Sequence, residues 1–325
     1  MLSNKDKLND CQFISLRKGG IIRTVNLPEA RGKQCLESLG WLVTISEDGH
    51  MNLLHPFTRV QINLPHVTAF KNYHLDSLKD HLFFIHKVVL SSRPEESKDY
   101  VLVVIYGCSR RLTFWRPEDK SWTAINAGLI SFCDINFYLG LCYGVTSDGM
   151  VLAFDVWGHN PTLSWHVGDG PREIIGHGGL KLPYIVQSAE VLLIVIRVLR
   201  QAILPLFLED DHFVVNDNSE SRVYYETCGF KVFEVDLGKV GECVEKRSLG
   251  DHALFLGDNS SVSVDASRFK GIKSNCIYYT DNLNRGARKD VSIYDIEDGS
   301  HRPCYEGEYS FSLTCPPLWV NPSSF

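Results

Sequence analysis

Residues 143–156, YGVTSDGMVLAFDV, decide the fold. Tyr143, Val145, Val151 and Phe154 are β-branched or aromatic, the residue types that fit a pleated strand. Asp148-Gly149 lies between the two apolar runs, and glycine accepts the positive φ of a tight hairpin turn. No apolar stripe recurs at three-four spacing, and Gly149 would cost a helix about 1 kcal/mol. A β-hairpin is predicted here. The remaining question is whether it stands alone or belongs to a repeated series.

Similar hairpins occur along the chain. WLVTISEDGHMNLLHP (41–56) and VSIYDIEDGSHRPCY (291–305) carry the same acidic-glycine turn chemistry. YVLVVIYGCSRRLTFWRPEDKSWTAI (100–125) reads strand, turn, strand, turn, strand, and GFKVFEVDLGKVGECVEKRSL (229–249) and FISLRKGGIIRTVNLP (13–28) are of the same kind. Anchors at Leu54, Phe114, Phe154, Phe233 and Tyr294 are spaced by 60, 40, 79 and 61 residues. The long intervals contain polar insertions, SRPEESKD (92–99) and LEDDHFVVNDNSESRVYY (208–225). Antiparallel units of this size, none able to bury both of its faces alone, are the mark of a closed ring of blades. The chain is therefore expected to be all-β: a β-propeller of about six blades, within a range of five to seven, each blade a four-stranded antiparallel sheet. A pair of β-sandwiches is the competing all-β architecture. Residues 1–12 are expected to be an N-terminal tail and 13–325 a single propeller domain. DINFYLGLCYGV (134–145) is expected to be an inner strand pair, with Gly140 and Gly144 allowing close approach.

Composition narrows the function classes. The chain has 325 residues, 44% of them hydrophobic, with only three methionines, which suits packed sheets. Thirty-nine acidic residues outnumber 33 basic ones, giving a net charge of −6. The densest basic groups, Arg110-Arg111 and Arg285, Arg288 and Lys289, are too small for a nucleic-acid footprint. Ten scattered cysteines form no Cys-x-x-Cys pair, so a zinc site has no local support. Residues 1–10 are polar and charged, without the apolar core of a signal peptide. Reduced thiols and a cytoplasmic or nuclear location are the expectation, which makes the glycosylation triplet Asn259-Ser260-Ser261 incidental. VLLIVIRVLRQAILPLFL (191–208) holds Arg197 and Arg200, which are costly in lipid, so Val191 to Val198 is predicted as a buried strand and no membrane partner is expected.

Catalytic patterns are sparse. There is no Gly-x-Ser-x-Gly elbow and no phosphate-binding glycine loop. GDGPRE (168–173) lacks the third glycine of a dinucleotide fingerprint, and GHGGLKLP (176–183) fits a blade connection. His81 and His86, five apart in an expected strand, would face opposite sides and could not share a metal. EDDH (209–212) lacks the alternating spacing of a calcium loop. No catalytic residue, cofactor or metal is assigned, and an enzyme is not expected. An active site assembled at the propeller channel stays open as the alternative, and it requires titratable groups converging on the axis.

The candidate partner-binding residues are Trp115, Arg116, Trp157 and His159. All adjoin turns, and tryptophan and arginine are favoured contact residues at protein interfaces. Packing between blades is the competing expectation for Trp115, as for Trp41 and Trp122. Residues 157–181 carry six glycines and form the expected binding loop.

Several segments in fixed order resemble one known family. They are GWLVTISEDGHMNLLHPFTRVQINLP (40–65), LTFWRPEDKSWTAI (112–125), YGVTSDGMVLAFDV (143–156), YIVQSAEVLLIVIR (184–197), FKVFEVDL (230–237), SLGDHALFLGDNSSVSV (248–264), NCIYYTDN (275–282) and PPLWVNP (316–322). Together they resemble the plant F-box-associated β-propellers of KIB type, kelch-like in outline, from about residue 12 onward. The resemblance implies a recognition module that presents a target protein to a cullin-type ubiquitin ligase. Family members commonly begin with a helical F-box. Here Leu27-Pro28 and EARGKQCLESLGW are far too short to form one. A Skp-type adaptor is therefore not an expected partner, a competing decoy role is open, and the target protein is unknown.

Overall fold

A computed structural model of the chain describes residues 2–3, 10–16, 20–73, 81–158, 164–171, 174, 180–205, 221–238, 243–280, 291–304 and 318–320. It is all-β. A three-stranded sheet opens the chain: β1 (Leu2–Ser3), β2 (Asp10–Ser15) and β3 (Gly20–Asn26). Blade 1 follows with β4 (Gln34–Ser38), β5 (Trp41–Ile45), β6 (Met51–Leu54) and β7 (Gln61–Leu64). Blade 2 is β8 (Ile85–Leu90), β9 (Leu102–Tyr106), β10 (Arg111–Trp115) and β11 (Thr123–Ala124). Blade 3 is β12 (Phe132–Tyr138), β13 (Leu141–Thr146), β14 (Met150–Phe154) and β15 (Ser164–Asp169), so the opening hairpin forms its two middle strands. Blade 4 is β16 (Leu180–Ser188), β17 (Val191–Pro205), β18 (Ser221–Val235) and β19 (Cys243–Lys246). Blade 5 contains β20 (His252–Leu256), β21 (Ser261–Asp265), β22 (Cys276–Thr280), β23 (Val291–Asp295) and β24 (His301–Pro303).

Blades 1 to 4 are antiparallel and four-stranded, as expected. Blade 5 departs from the pattern: its five strands run in the order β21-β20-β22-β23-β24, with β20 parallel to β22.

The uninterrupted apolar runs follow from burial on both faces. In β9, Leu102, Val104 and Tyr106 pack into the core shared with blade 1, while Val103 and Ile105 pack into the core shared with blade 3. In β14, Leu152 and Phe154 face blade 2, and Val151 and Ala153 face blade 4. In β17, Leu192, Ile194 and Ile196 face blade 3, and Leu193 and Val195 face blade 5. A strand with neighbours on both sides has no polar face to alternate with. Arg197 continues this run yet is buried. Its guanidinium donates to Thr227 Oγ1 and to the Thr280 carbonyl, and lies 4.9 Å over the Tyr279 ring.

The inner strands β4, β8, β12, β16 and β21 are stitched edge to edge. Ser38 Oγ accepts from the Leu90 amide at 2.9 Å, and Gln34 Nε2 donates to the Ile85 carbonyl at 2.9 Å. Lys87 pairs with Asp134, and Asp134 Oδ2 accepts from the Ile185 amide at 2.9 Å. Ser188 and Ser263 hydroxyls meet at 2.8 Å. Asn259, in the turn before β21, closes the ring: its Oδ1 accepts from the Val88 amide at 2.7 Å, and its Nδ2 donates to the Glu37 carbonyl. The Asn259 side chain is thus buried and engaged, so its triplet offers no acceptor for a glycan in the folded chain.

The described residues form five blades, within the expected range of five to seven and one fewer than the central figure of six. The hairpin expected over 13–28 is a true antiparallel pair, β2 with β3, but it is not a blade. It supplies no inner strand. Cys11 and Phe13 instead pack on Leu42 and Leu54, the face of blade 1 turned away from blade 2. Leu16 and Trp319 pack on Phe255 and Tyr278, the face of blade 5 turned away from blade 4. The N-terminal sheet therefore fills a wedge between the last blade and the first, while the hub closes without it. β2 begins at Asp10, inside the segment expected to be a tail.

Two local expectations need correction. His81 begins a short helical turn, α1 (His81–Phe84), rather than sharing a strand with His86. Gly140 is a turn residue at φ +80 with open space around it, whereas Gly144 is the close approach: a Cβ there would lie 2.8 Å from the Phe132 ring. EDDH (209–212) lies outside the described residues. Among the described residues, no helix is long and apolar enough to cross a membrane.

Candidate functional site

Neighbouring inner strands run in the same direction: Gln34 meets Ile85 and Ser38 meets Leu90 between blades 1 and 2, Asn136 meets Ile185 and Tyr138 meets Glu190 between blades 3 and 4, and Arg116 beyond β10 meets Val156 beyond β14 between blades 2 and 3. In the antiparallel blades, the turns from first to second strand and from third to fourth strand therefore emerge on one face of the ring. Trp115 ends β10 and Arg116 follows it, and Trp157 lies in the turn after β14, so all three belong to that face.

The structure separates their roles. Trp115 is buried in the core shared by blades 1 and 2, and its Nε1 donates to the Asp119 carbonyl at 2.9 Å. It presents no ring to solvent. Arg116 is half-buried, its guanidinium 5.1 Å over the Phe114 ring, and its Nη2 donates to the Val156 carbonyl. It thereby ties the outer turn of blade 2 to that of blade 3. Trp157, the next residue, is 43% exposed. Asp155 Oδ1 accepts from the Trp157 and Gly158 amides, both at 3.0 Å, and this Asx turn fixes where the indole starts. His159 lies outside the described residues. So do Gly176, Gly178 and Gly179 of the expected glycine-rich loop.

An open depression of about 300 Å³ lies beside Trp157. Three blades contribute to it. Ser91 and Ser92 come from the end of the inner strand of blade 2, Phe137 and Leu139 from blade 3, and Gln187 from blade 4. The Tyr138 hydroxyl, also on the lining, donates to the Glu190 carbonyl. Leu139, absent from the sequence-based candidates, sits at the tip of the β12–β13 hairpin. Its φ is +47 and its side chain is 78% exposed. The available signal was an apolar residue at the apex of a two-residue turn, Leu139-Gly140, where a polar residue is usual. Trp165, 43% exposed on the outer strand of the same blade, was missed as well. Of the eight exposed large hydrophobic side chains among the described residues, three lie in blade 3, namely Leu139, Trp157 and Trp165, and Leu129 and Leu180 flank it, so the apolar sector of the ring centres on blade 3.

The axis holds a second group of polar side chains, all buried or half-buried. Lys87 Nζ lies 2.6 Å from Asp134 Oδ1 and donates to Ser261 Oγ at 2.9 Å, while Ser261 Oγ donates to Asp134 Oδ2 at 2.6 Å. Asp134 also accepts from the Ile135 and Ile185 amides. Asn136 Nδ2 donates to the Ser261 carbonyl at 2.8 Å, so strands of non-adjacent blades touch across the axis. These groups spend their polar capacity on one another and hold the hub together. Among the described residues, no cluster of three histidine, cysteine or acidic side chains is placed to hold a metal ion. Burial pushes the thiol of Cys133 up to about 11 and that of Cys304 up to about 12, so neither is a ready nucleophile.

The sequence profile of the KIB1-4 beta-propeller family matches residues 13–295. F-box protein SKIP23 of Arabidopsis thaliana is 25% identical over 322 residues, covering 88% of this chain and 75% of that protein. Putative F-box protein At5g55150 of the same plant is 23% identical over 305 residues, covering 89% and 74%. Among solved structures, the β-propeller domain of Cps50 (Swd1) from Myceliophteria thermophila aligns with a TM-score of 0.38 and 8% identity, over 94% of this chain and 83% of that one.

Proposed function

This chain belongs to the KIB1-4 β-propeller family, and from that premise we propose that it is a recognition module that holds a target protein against the face carrying Arg116 and Trp157. The observation that carries this is the apolar sector of blade 3, where Leu139 and Trp157 reach solvent on a rigid ring whose strands bury nearly every other large apolar side chain. A rigid scaffold with exposed aromatic anchors is the usual physical basis of a protein interface.

We further propose that the captured protein is a substrate of a cullin-type ubiquitin ligase. Support comes from the F-box proteins to which the chain is similar over about three quarters of their length. Quantitative affinity capture tests both levels. A target is a protein recovered by the wild-type chain and lost with Trp157→Ser, and its ubiquitylation in cells is expected to change with the level of this chain. Equal recovery by the two chains would rule out this face. Unchanged ubiquitylation of a captured target would rule out the ligase role.

A further inference from the structure

We infer that the depression between Leu139 and Trp157 seats one uncharged, apolar side chain, leucine- to phenylalanine-sized, carried on an extended segment of a partner protein. The inference rests on the recognition role proposed above and specifies what that face reads.

The first ground is a local choice that folding does not explain. The first-to-second-strand turns of blades 1, 3 and 4 each begin with a left-handed residue: Leu39 at φ +51, Leu139 at φ +47 and Ala189 at φ +50. Any residue with a Cβ is disfavoured in that conformation. Leu39 has a structural use, because it packs against the core of blades 1 and 2 and its carbonyl accepts from Arg93 Nε at 3.2 Å. Ala189 is small. Of these three, Leu139 alone combines left-handed backbone with a large side chain in water. The backbone strain costs the folded chain, and the leucine side chain gains no burial there to offset it.

The second ground is charge. In a chain with 22% charged residues, the described lining of this depression carries none. A charged occupant would lose hydration there without gaining a counter-charge, whereas an apolar one would not. Size is the third ground. About 300 Å³ is the bottom of the range for small-molecule sites, enough for one anchor side chain. The exposed amide of Gln187 and the hydroxyls of Ser91 and Ser92 at the inner rim offer neutral donors and acceptors to the main chain on either side of that anchor.

Selection of short random peptides displayed on phage, using the whole chain as bait, tests this. Enriched peptides are expected to share a position occupied by Leu, Ile, Met or Phe. They are expected to bind the Leu139→Asn chain at least about tenfold more weakly. Asparagine suits the left-handed backbone, so this variant keeps the fold. Trp157→Ser provides the second reading of the same effect. Enriched peptides that bind both variants as tightly as wild type, or whose shared position is charged, would overturn the anchor and leave recognition elsewhere on the ring standing. No enrichment above bare matrix would overturn both.

Discussion

Lys87 Nζ and Asp134 Oδ1 lie 2.6 Å apart, with each side chain only 3% exposed, between the inner strands of blades 2 and 3. A third blade is bound into the same contact, because Ser261 hydrogen-bonds both partners from blade 5. One ion pair therefore joins three of the five blades. Its desolvation cost is offset only while every partner is present.

Removing one partner strands the other. Lys87→Met should destabilise the chain by about 3–5 kcal/mol, because Asp134 is left buried and charged. Adding Asp134→Asn to that variant should recover part of the loss. Chemical denaturation of the three chains checks both signs.

At Leu139, stability and binding should move in opposite directions. Leu139→Gly relieves left-handed strain and loses no buried contact, so it should raise stability by about 1 kcal/mol. Leu39→Gly, at the same turn position in blade 1, also loses packing against the core and should gain less or lose. Thermal unfolding of the pair separates a turn held for packing from one held for contact.

Thiol reactivity should follow burial. Cys108 and Cys228 are exposed, while Cys142 is fully buried, with burial pushing its thiol far above the ordinary range. A maleimide reagent should label Cys108 and Cys228 in the native chain and reach Cys142 only on unfolding. Mass spectrometry of the labelled chain reads the order directly.

Acid should loosen the turns. The hydroxyls of Ser46, Ser267 and Ser300 hold the Asp48, Asp265 and Asp298 carboxyls below the ordinary 3.8, and a hydrogen bond from Lys273 does the same for Asp295. A value lower in the folded chain than in the unfolded one means stability that is present above 3.8 and is lost as pH falls through the folded values. Denaturation midpoints should therefore be steady from about pH 6 to about pH 5 and drop toward about pH 3.

Much of this architecture was legible in the sequence, for definite reasons. Runs of β-branched and aromatic residues bounded by Asp-Gly turns identify strands from local residues alone. The anchors Leu54, Phe114, Phe154 and Phe233 fall on the third strands of blades 1 to 4, and Tyr294 falls on β23 of blade 5. Five anchors in fact mark five blades. β2 and β3 form a genuine hairpin whose position at the seam depends on the contacts of Phe13 and Leu16 with blades distant in sequence. The parallel pairing of β20 with β22 has no local signature either. At the site, Trp157 could be named because it adjoins a turn and tryptophan is a favoured contact residue at protein interfaces. Leu139 was missed, since leucine next to a strand reads as core and only its place before Gly140 marks it as a turn residue. The hub polar groups were invisible for a similar reason: Lys87, Asp134 and Ser261 meet only when the ring closes.

Closure of the ring at its hub is the claim on which the face, the wedge and the anchor all depend. The Val88 amide tests it most directly, because its acceptor is Asn259 Oδ1, 171 positions away in the last blade. Native-state hydrogen exchange should find this amide as protected as the ladder amides of β9, with protection lost selectively in Asn259→Leu. A Val88 amide that exchanges like an exposed edge strand in the wild-type chain would mean that blade 5 does not reach blade 2 and that the ring is open.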